Sequence, residues 1–546
     1  MLILNLINRD EDIGLRSIAL LGCISGLANA SVLAVINVAS ELVSDTDKNN
    51  NPIYYLSLFL VVIAIYAISQ RELMLRATHS VEKAIDHVRR NLIERIRHCD
   101  LNTIEKIGRE RIYTTISGEL HTISQSAQLF VTIGQSVILI VFCSIYIAYL
   151  SFTSFLVISA FIIFGAVIHL LRTKNIEKNL QKAFKRENDL ILSLTDLLDG
   201  FKEVKLSRPR ADELAQEFNL GSTDVKNAKL QTHALHSTDY VLSTISFYIA
   251  VGSIVFFVPM ISDLYPEVVT KVTTATLFLI GPIGGIIGGI SIYNNANAAA
   301  KNVLDLEQEL EMAENEIYSD EVLHSFDKIE LKNVTFQYPV SDGASPFEIG
   351  PINMTIESGQ TIFVTGGNGS GKTTFIRLLT GLYHAKRGYV IVDGQKITDE
   401  KIDAYRNLFT SVFSDFHLFK YLYGIPQEQT EEADEWLDIL ELSHKVQLDK
   451  KTFSTIDLSG GQRKRLALLS CVLENRPIYI FDEWAADQDP YFRQKFYDQI
   501  LPKLKQRKQT VISITHDDKY FHKADVRYDM SDGQLTQVSP PITEKN

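Results

Sequence analysis

The sequence carries almost no cysteine chemistry. Its four cysteines, Cys23, Cys99, Cys143 and Cys471, lie far apart with neither CxxC nor zinc-type spacing, which excludes a disulfide framework and a structural zinc site. A surplus of positive charge is missing too. The formal net charge is −12, and the acidic excess falls almost wholly beyond Ala300. No basic surface for nucleic acid is therefore expected, and no nucleic-acid partner. Nor is the composition uniform: a mean hydropathy of +0.03 hides one half with long apolar runs and another mixed like a soluble α/β protein. At 546 residues the chain has room for two or three domains.

Before Ala300, apolar runs recur near 17–42, 53–70, 128–149, 152–172, 236–262 and 268–292. Each is long enough to be read as a membrane span, since about 20 helical residues cross a hydrocarbon core. The third and fourth are parted only by the Ser-Phe-Thr-Ser turn that begins at Ser151, which predicts a helical hairpin. The connectors 71–125 and 173–235 hold Lys, Arg and Glu at helical spacing and are read as helices continuing out of the membrane. They carry most of the basic residues of this half, with Arg9, Arg16 and Arg172 on the same side and only Lys48 and Lys271 opposite. The positive-inside bias then puts both termini and both connectors in the cytoplasm of a multi-pass protein of the cytoplasmic (inner) membrane.

Ala28-Asn29-Ala30 resembles a signal-peptide cleavage site, but Asp10-Glu11-Asp12 spoils a basic leader and the apolar run continues past it. A retained first span is expected. In that span Asn29, Leu33, Asn37 and Glu41 recur every four residues and share one helical face. The stripe is read either as interhelical hydrogen bonding or as part of a hydrated cavity that meets cargo. Gly281-Pro282-Ile283-Gly284-Gly285 in the sixth run is read as a bend.

Beyond the linker 301–326, residues 327–546 read as one α/β domain. The strand that starts at Thr361 runs into Gly366-Gly367-Asn368-Gly369-Ser370-Gly371-Lys372-Thr373-Thr374, matching GxxxxGK[ST] from Gly366 to Thr373. Such a loop curls backbone N–H groups around phosphates at a helix N-terminus. Lys372 can reach the β- and γ-phosphates of ATP, and the Thr373 hydroxyl can bind Mg²⁺. A second strand, 477–481, delivers Asp482 and Glu483: the first carboxylate suits Mg²⁺ and the second suits polarising water. A third, Val511–Ile514, delivers His516 near the γ-phosphate. Between them, Leu458-Ser459-Gly460-Gly461-Gln462 is a glycine turn that opens a helix, another anion-ready N-terminus.

Together these motifs resemble the ABC ATPase family from about Asp327 to Asp532. The resemblance implies that Ser459, Gly460, Gly461 and Gln462 bind the γ-phosphate of ATP held by the opposite subunit. It also implies that Tyr338 stacks on adenine and that Asp489 is the acid of the loop after Glu483. The glutamine usual in the family is replaced in Val412-Phe413-Ser414-Asp415-Phe416. Either Ser414 or Asp415 acts there, or the contact is lost; Asp415, as the harder ligand, is the one expected to meet Mg²⁺. Trp484-Ala485-Ala486-Asp487-Gln488-Asp489-Pro490 also departs from the family pattern.

Those departures, with Phe413–Phe419, His516-Asp517-Asp518 and Gly200-Phe201-Lys202-Glu203-Val204-Lys205-Leu206, resemble the half-transporters that export cyclic or lasso peptides and peptide siderophores. The implied architecture is a six-helix transmembrane domain over 1–300, type I ABC exporter-like, followed by a P-loop ATPase domain. The implied partners are a second copy of the chain, a peptide-like cargo and the lipid bilayer. Turns within 108–125 and 199–210 are expected to couple the halves. Two rival readings are a flippase of lipids or lipid-linked sugars and a membrane sensor with a weakened ATPase. Retention of Lys372, Asp482, Glu483 and His516 speaks against the sensor, and the six spans exclude a soluble ABC ATPase.

Overall fold

The computed structural model describes residues 15–44, 52–261, 266–313, 322–338 and 347–538, which form two units. The first takes Met1–Ile93 with Glu110–Gln308, and the second takes Glu94–Arg109 with Glu309–Asn546. The segment Glu94–Arg109, which holds the short helix Leu101–Ile107, thus belongs with the C-terminal residues, a grouping that lies outside the expected division at 300.

Among the described residues, five helical stretches are long and apolar enough to cross a membrane: Arg16–Ala39, Ile53–Arg97, Arg109–Leu150, Arg208–Phe256 and Glu267–Met312. Phe152–Ile168 is a shorter apolar stretch. All lie at the positions of the apolar runs. Helices Pro52–Arg97, Phe152–Asp199 and Arg208–Phe256 run on without a break well past their apolar parts. Charged pairs one turn apart support such extensions, as Glu72 does with Arg76 at 2.8 Å and Asp86 with Arg90 at 2.9 Å. The last two helices also pair with each other through Lys229–Glu187 at 2.6 Å and Arg186–Asp224 at 3.3 Å. The hairpin turns where expected: Ser151 is extended and its hydroxyl caps Ser154 N at 3.3 Å. The last span breaks earlier than its glycines predict, between Leu277 and Ile280, so Gly281 and Pro282 open the helix Ile280–Met312.

On the first helix, Leu33 is buried and Asn37 is 6% exposed, with its amide donating to the Tyr146 hydroxyl at 3.3 Å. The interhelical reading of that stripe holds at Asn37. Asn29 is half-buried, and the Glu41 side chain lies outside the described residues. One turn earlier, Ser25 donates to Gln70 Oε1 at 2.8 Å, and Gln135 Nε2 donates to Ser25 Oγ at 3.1 Å, tying three helices by amides.

The second unit is built on a six-stranded sheet in the order β12-β11-β3-β10-β9-β6. The strands are β3 (Thr361–Gly366), β6 (Phe409–Val412), β9 (Ile478–Asp482), β10 (Thr510–Ile514), β11 (Val526–Ser531) and β12 (Gln534–Val538). All neighbours are parallel except β11 and β12. Successive residues of a strand point to opposite faces, and both faces are buried here. Ile362, Val364, Ile480 and Ile512 enter one core, whereas Phe363, Phe481 and Val511 enter the other. A second, antiparallel sheet of β1 (Lys328–Gln337), β2 (Glu348–Glu357), β4 (Arg387–Val392) and β5 (Gln395–Lys396) packs on the first core.

Candidate nucleotide site

The parallel strands aim their C-terminal ends at one edge, where ligands of open α/β sheets bind. From β3 the chain turns through Gly366 into the helix Lys372–Leu379. Gly366 has φ 141°, and a Cβ there would sit 2.1 Å from the Met530 carbonyl oxygen, so only glycine fits the turn. Lys372 is 6% exposed, and its ammonium donates to the carbonyls of Gly366 and Gly367 at 3.1 and 2.9 Å. It therefore folds over its own loop as an anchored cation, which phosphate oxygens can take over from the carbonyls.

Beside it, β9 ends in Asp482. Thr373 Oγ1 donates to Asp482 Oδ2 at 3.3 Å. Burial pushes the Asp482 carboxyl above its ordinary range, and the nearby Glu483 charge adds to this, while bonds from Ser414 and Thr373 oppose it. The other oxygen, Oδ1, is buried and has no hydrogen-bond partner, as is Ser370 Oγ in the loop. An orphaned carboxylate oxygen beside a threonine hydroxyl is an oxygen donor set that suits a hard divalent cation such as Mg²⁺.

Glu483 lies one residue on, in a left-handed conformation at φ 50°, with its amide held by the Ile514 carbonyl at 3.2 Å. The bend carries the side chain between an ammonium and an imidazole: Oε1 is 3.7 Å from Lys372 Nζ and 3.2 Å from His516 Nε2. His516 follows β10, whose exit is fixed because Tyr497 donates to Asp517 Oδ2 at 2.9 Å and Arg493 pairs with Asp517 Oδ1 at 3.3 Å. Lys372, Thr373, Asp482, Glu483 and His516 thus converge on one edge.

Asp415 does not join them. Its carboxylate turns to Arg377 Nη2 at 3.3 Å, and the neighbouring Ser414 faces inward instead, with Oγ 3.0 Å and N 3.4 Å from Asp482 Oδ2. Asp482 is itself negative and repels a second carboxylate, whereas a hydroxyl donates to it. The arrangement sets Ser414, rather than the expected Asp415, beside Asp482. Tyr338, just past β1, donates to or accepts from Thr374 Oγ1 at 2.9 Å and meets Phe336 edge-on at 5.1 Å between centroids.

The Ser459 turn lies against a different partner. Ser459 caps the helix Gly460–Glu474 with Gln462 reaching back to its amide, a reciprocal capping box. Gln488 Nε2 donates to the Gly461 carbonyl at 3.1 Å, and Arg465 grips Gln488 Oε1 at 2.9 Å and Asp489 Oδ2 at 2.8 Å. Asp489 also accepts from Phe492 N at 2.9 Å as a helix cap, and this bond first, with Arg465, holds its carboxyl below the usual range.

Family models match this chain twice: one described as the ABC transporter transmembrane region over residues 16–280, and one described as ABC transporter over 349–486. A relative from Pseudomonas syringae pv. syringae, "ATP-binding protein SyrD", is 30% identical across 94% of this chain and 92% of its own length. The chain belongs to the ABC transporter family. An "ATP-dependent lipid A-core flippase" from Yersinia pestis bv. Antiqua is 24% identical over 83% of the chain and 80% of that protein. A solved structure described as a bacterial Atm1-family ABC exporter with ATP bound superposes with TM-score 0.76, covering 97% of this chain and 96% of that one at 17% identity.

This ABC transporter accordingly has the type I exporter fold, a half-transporter with one membrane portion and one ATPase portion, and it couples ATP hydrolysis to transport. One residue beside the site, Lys464, left no trace in the sequence pattern, and it meets the unusual stretch after Glu483. Lys464 is 6% exposed on the helix that Ser459 caps and pairs with Asp487 at 2.6 Å. Trp484 is fully buried and donates to the Lys464 carbonyl at 2.9 Å. The unusual Trp484, Asp487 and Gln488 are thus the residues that clasp the Ser459 helix to the loop after Glu483. The short helix Leu101–Ile107 was also missed, although Asp100 and Gly108 mark its ends. Asp100 caps Thr103 N at 3.2 Å, and Gly108 closes it at φ 87°.

Proposed function

We propose that two copies of this chain form a homodimeric exporter of the cytoplasmic membrane that expels a cyclic or otherwise modified peptide, or a peptide siderophore. The observation that carries this reading is the end-to-end match at 30% identity, which spans membrane and ATPase portions in one order. Support for the cargo class comes from the departures at Ser414-Asp415, Trp484–Asp489 and His516-Asp517-Asp518, which resemble the peptide-exporting half-transporters. Both termini and the ATPase portion face the cytoplasm in this reading.

In each ATP site, the amides of 367–373 and the Lys372 ammonium hold the β- and γ-phosphates. Thr373, Ser414 and Asp482 would hold Mg²⁺, which supplies charge neutralisation on those phosphates. Glu483 orients and deprotonates the attacking water, with His516 keeping the carboxylate in place. Gly461, in the turn that Ser459 opens, is bonded to Gln488 of the loop after Glu483. A second copy, related by a two-fold axis, supplies Ser459 and its glycines to the γ-phosphate. ATP then favours the closed pair, and hydrolysis releases it.

A flippase of lipids is the second reading. It is favoured by the flippase relatives and by an apolar cavity of about 320 Å³ in the membrane unit, lined by Ile140, Ile158, Phe161, Phe247 and Ile287 among others. Proteoliposomes separate the two. ATP-dependent movement of a labelled cyclic peptide without movement of labelled lipid supports the exporter; lipid movement alone overturns the cargo assignment.

A further inference from the structure

The loop after Glu483 turns its carbonyls towards one cation. Arg493, from the helical segment 490–506, donates Nε to the Ala485 carbonyl at 3.2 Å. Its Nη2 donates to the carbonyls of Ala486 at 3.2 Å and Gln488 at 3.3 Å, and its Nη1 meets Asp517 Oδ1 at 3.3 Å. A guanidinium suits this task, since its planar fork presents donors in several fixed directions, whereas an ammonium is a point charge. The carbonyls face it because the chain leaves β9 through the left-handed Glu483 and a short turn over Trp484–Asp487. Ala486 N returns to the Glu483 carbonyl at 3.3 Å, so the turn that Arg493 holds is closed on Glu483 itself.

Asp517 is held from the same helical segment. Tyr497, one turn after Arg493, donates to Asp517 Oδ2 at 2.9 Å and shares a 2.6 Å bond with Thr515 Oγ1. The helix widens to a looser turn over Phe496–Ile500, which carries Tyr497. Tyr497 is fully buried with its ring stacked on Tyr520 at 4.2 Å, and burial pushes its hydroxyl up, so it stays a donor. Asp517 N donates to Thr515 Oγ1, and Asp518 N donates to the His516 carbonyl, both at 3.0 Å. His516 thus projects from a turn pinned on both sides. Its partner Glu483 projects from another turn, and Arg493 is bonded to both.

We propose that Arg493 is a positioning residue for hydrolysis: it ties the turn that begins at Glu483 to the turn that carries His516 and keeps the two side chains in register at 3.2 Å. Its bonds end on backbone carbonyls and on Asp517, so it acts through Glu483 and His516 rather than on phosphate. The inference rests on the reading of Glu483 as the base and His516 as the group that holds it. It also gives Asp517 a task, as the acid through which Arg493 reaches the second turn.

The test measures ATP hydrolysis by the full chain reconstituted in lipid, with rates expressed per nucleotide-binding site, and amide hydrogen exchange without nucleotide. Arg493→Gln should lower kcat about tenfold and leave the KM for ATP within about twofold, the pattern of a misplaced catalytic group. Exchange should rise over 484–488 and over 515–518 together; a rise confined to one of them would break the proposed link. Asp517→Asn removes only the ion pair. It should lower kcat with KM unchanged and add little in the Arg493→Gln background. In a His516→Ala background, Arg493→Gln should cost less than about threefold, because the register it maintains has lost one member. A packing role alone predicts otherwise: the same loss with or without His516, or fewer binding sites at parental kcat. Either result overturns the proposal. If Arg493→Gln fails to fold, Asp517→Asn decides, and parental kcat in that variant overturns it. His516→Ala tests the underlying reading separately. Parental hydrolysis there would sink the role of His516 itself, whereas impaired hydrolysis there beside parental kcat in Arg493→Gln sinks only this inference.

Discussion

Ser414 Oγ lies 3.0 Å from Asp482 Oδ2, in the position from which the family's glutamine would otherwise approach the cation. A shorter side chain reaches the carboxylate directly, and its amide follows at 3.4 Å.

From this contact, Ser414→Ala should raise the Mg²⁺ concentration needed for half-maximal hydrolysis several-fold, since Asp482 loses a donor that orients it. Asp415→Ala should leave that requirement unchanged. Titration of Mg²⁺ against ATPase rate in the two variants checks the pair; a shift confined to Asp415→Ala would restore the carboxylate as ligand.

Asp482 also carries a pH signature. Its folded-state pKa is raised by burial, so the ionised form costs stability once the pH exceeds the folded value, and that cost vanishes below the unfolded value. Asp482→Asn should consequently raise the melting temperature of the nucleotide-free protein near neutral pH while removing Mg-dependent hydrolysis. The gain should shrink as the pH falls through the carboxylate range. Equal melting temperatures at neutral pH would show that the carboxylate is not strained.

Trp484 is fully buried among Phe481, Phe492 and Phe496, with ring centroids 6.3, 6.1 and 4.6 Å away. Trp484→Ala should cost about 3–5 kcal/mol, as aromatic truncations in cores do. Denaturant unfolding of the detergent-solubilised protein measures it. A loss below about 1 kcal/mol would mean the site collapses freely.

The motifs at Gly366–Thr373, Asp482-Glu483 and Ser459–Gln462 were legible because their chemistry is bound to local backbone: glycines for turns, a strand end for carboxylates. Apolar runs marked the spans for the same reason, since helix length is set by bilayer thickness. The facing of Ser414 and Asp415 was not legible. It depends on Arg377 and Asp482, which are far off in sequence, and ligand hardness alone pointed to Asp415. The bend near Gly281 was misplaced by a few residues because proline is tolerated in the first turn of a helix, so the break precedes it. Lys464 is one of three consecutive basic residues, and nothing local marks it as the one that meets Trp484 and Asp487.

The account as a whole turns on ATP hydrolysis at Glu483, the carboxylate held between Lys372 and His516. Its most direct measurement is the ATPase rate and nucleotide affinity of Glu483→Gln in the full chain reconstituted in lipid. Affinity should stay near that of the parent while hydrolysis falls by roughly 10²-fold or more, the loss expected for a positioned general base. Hydrolysis at the parental rate would contradict the assignment and, with it, the mechanism by which this chain drives export.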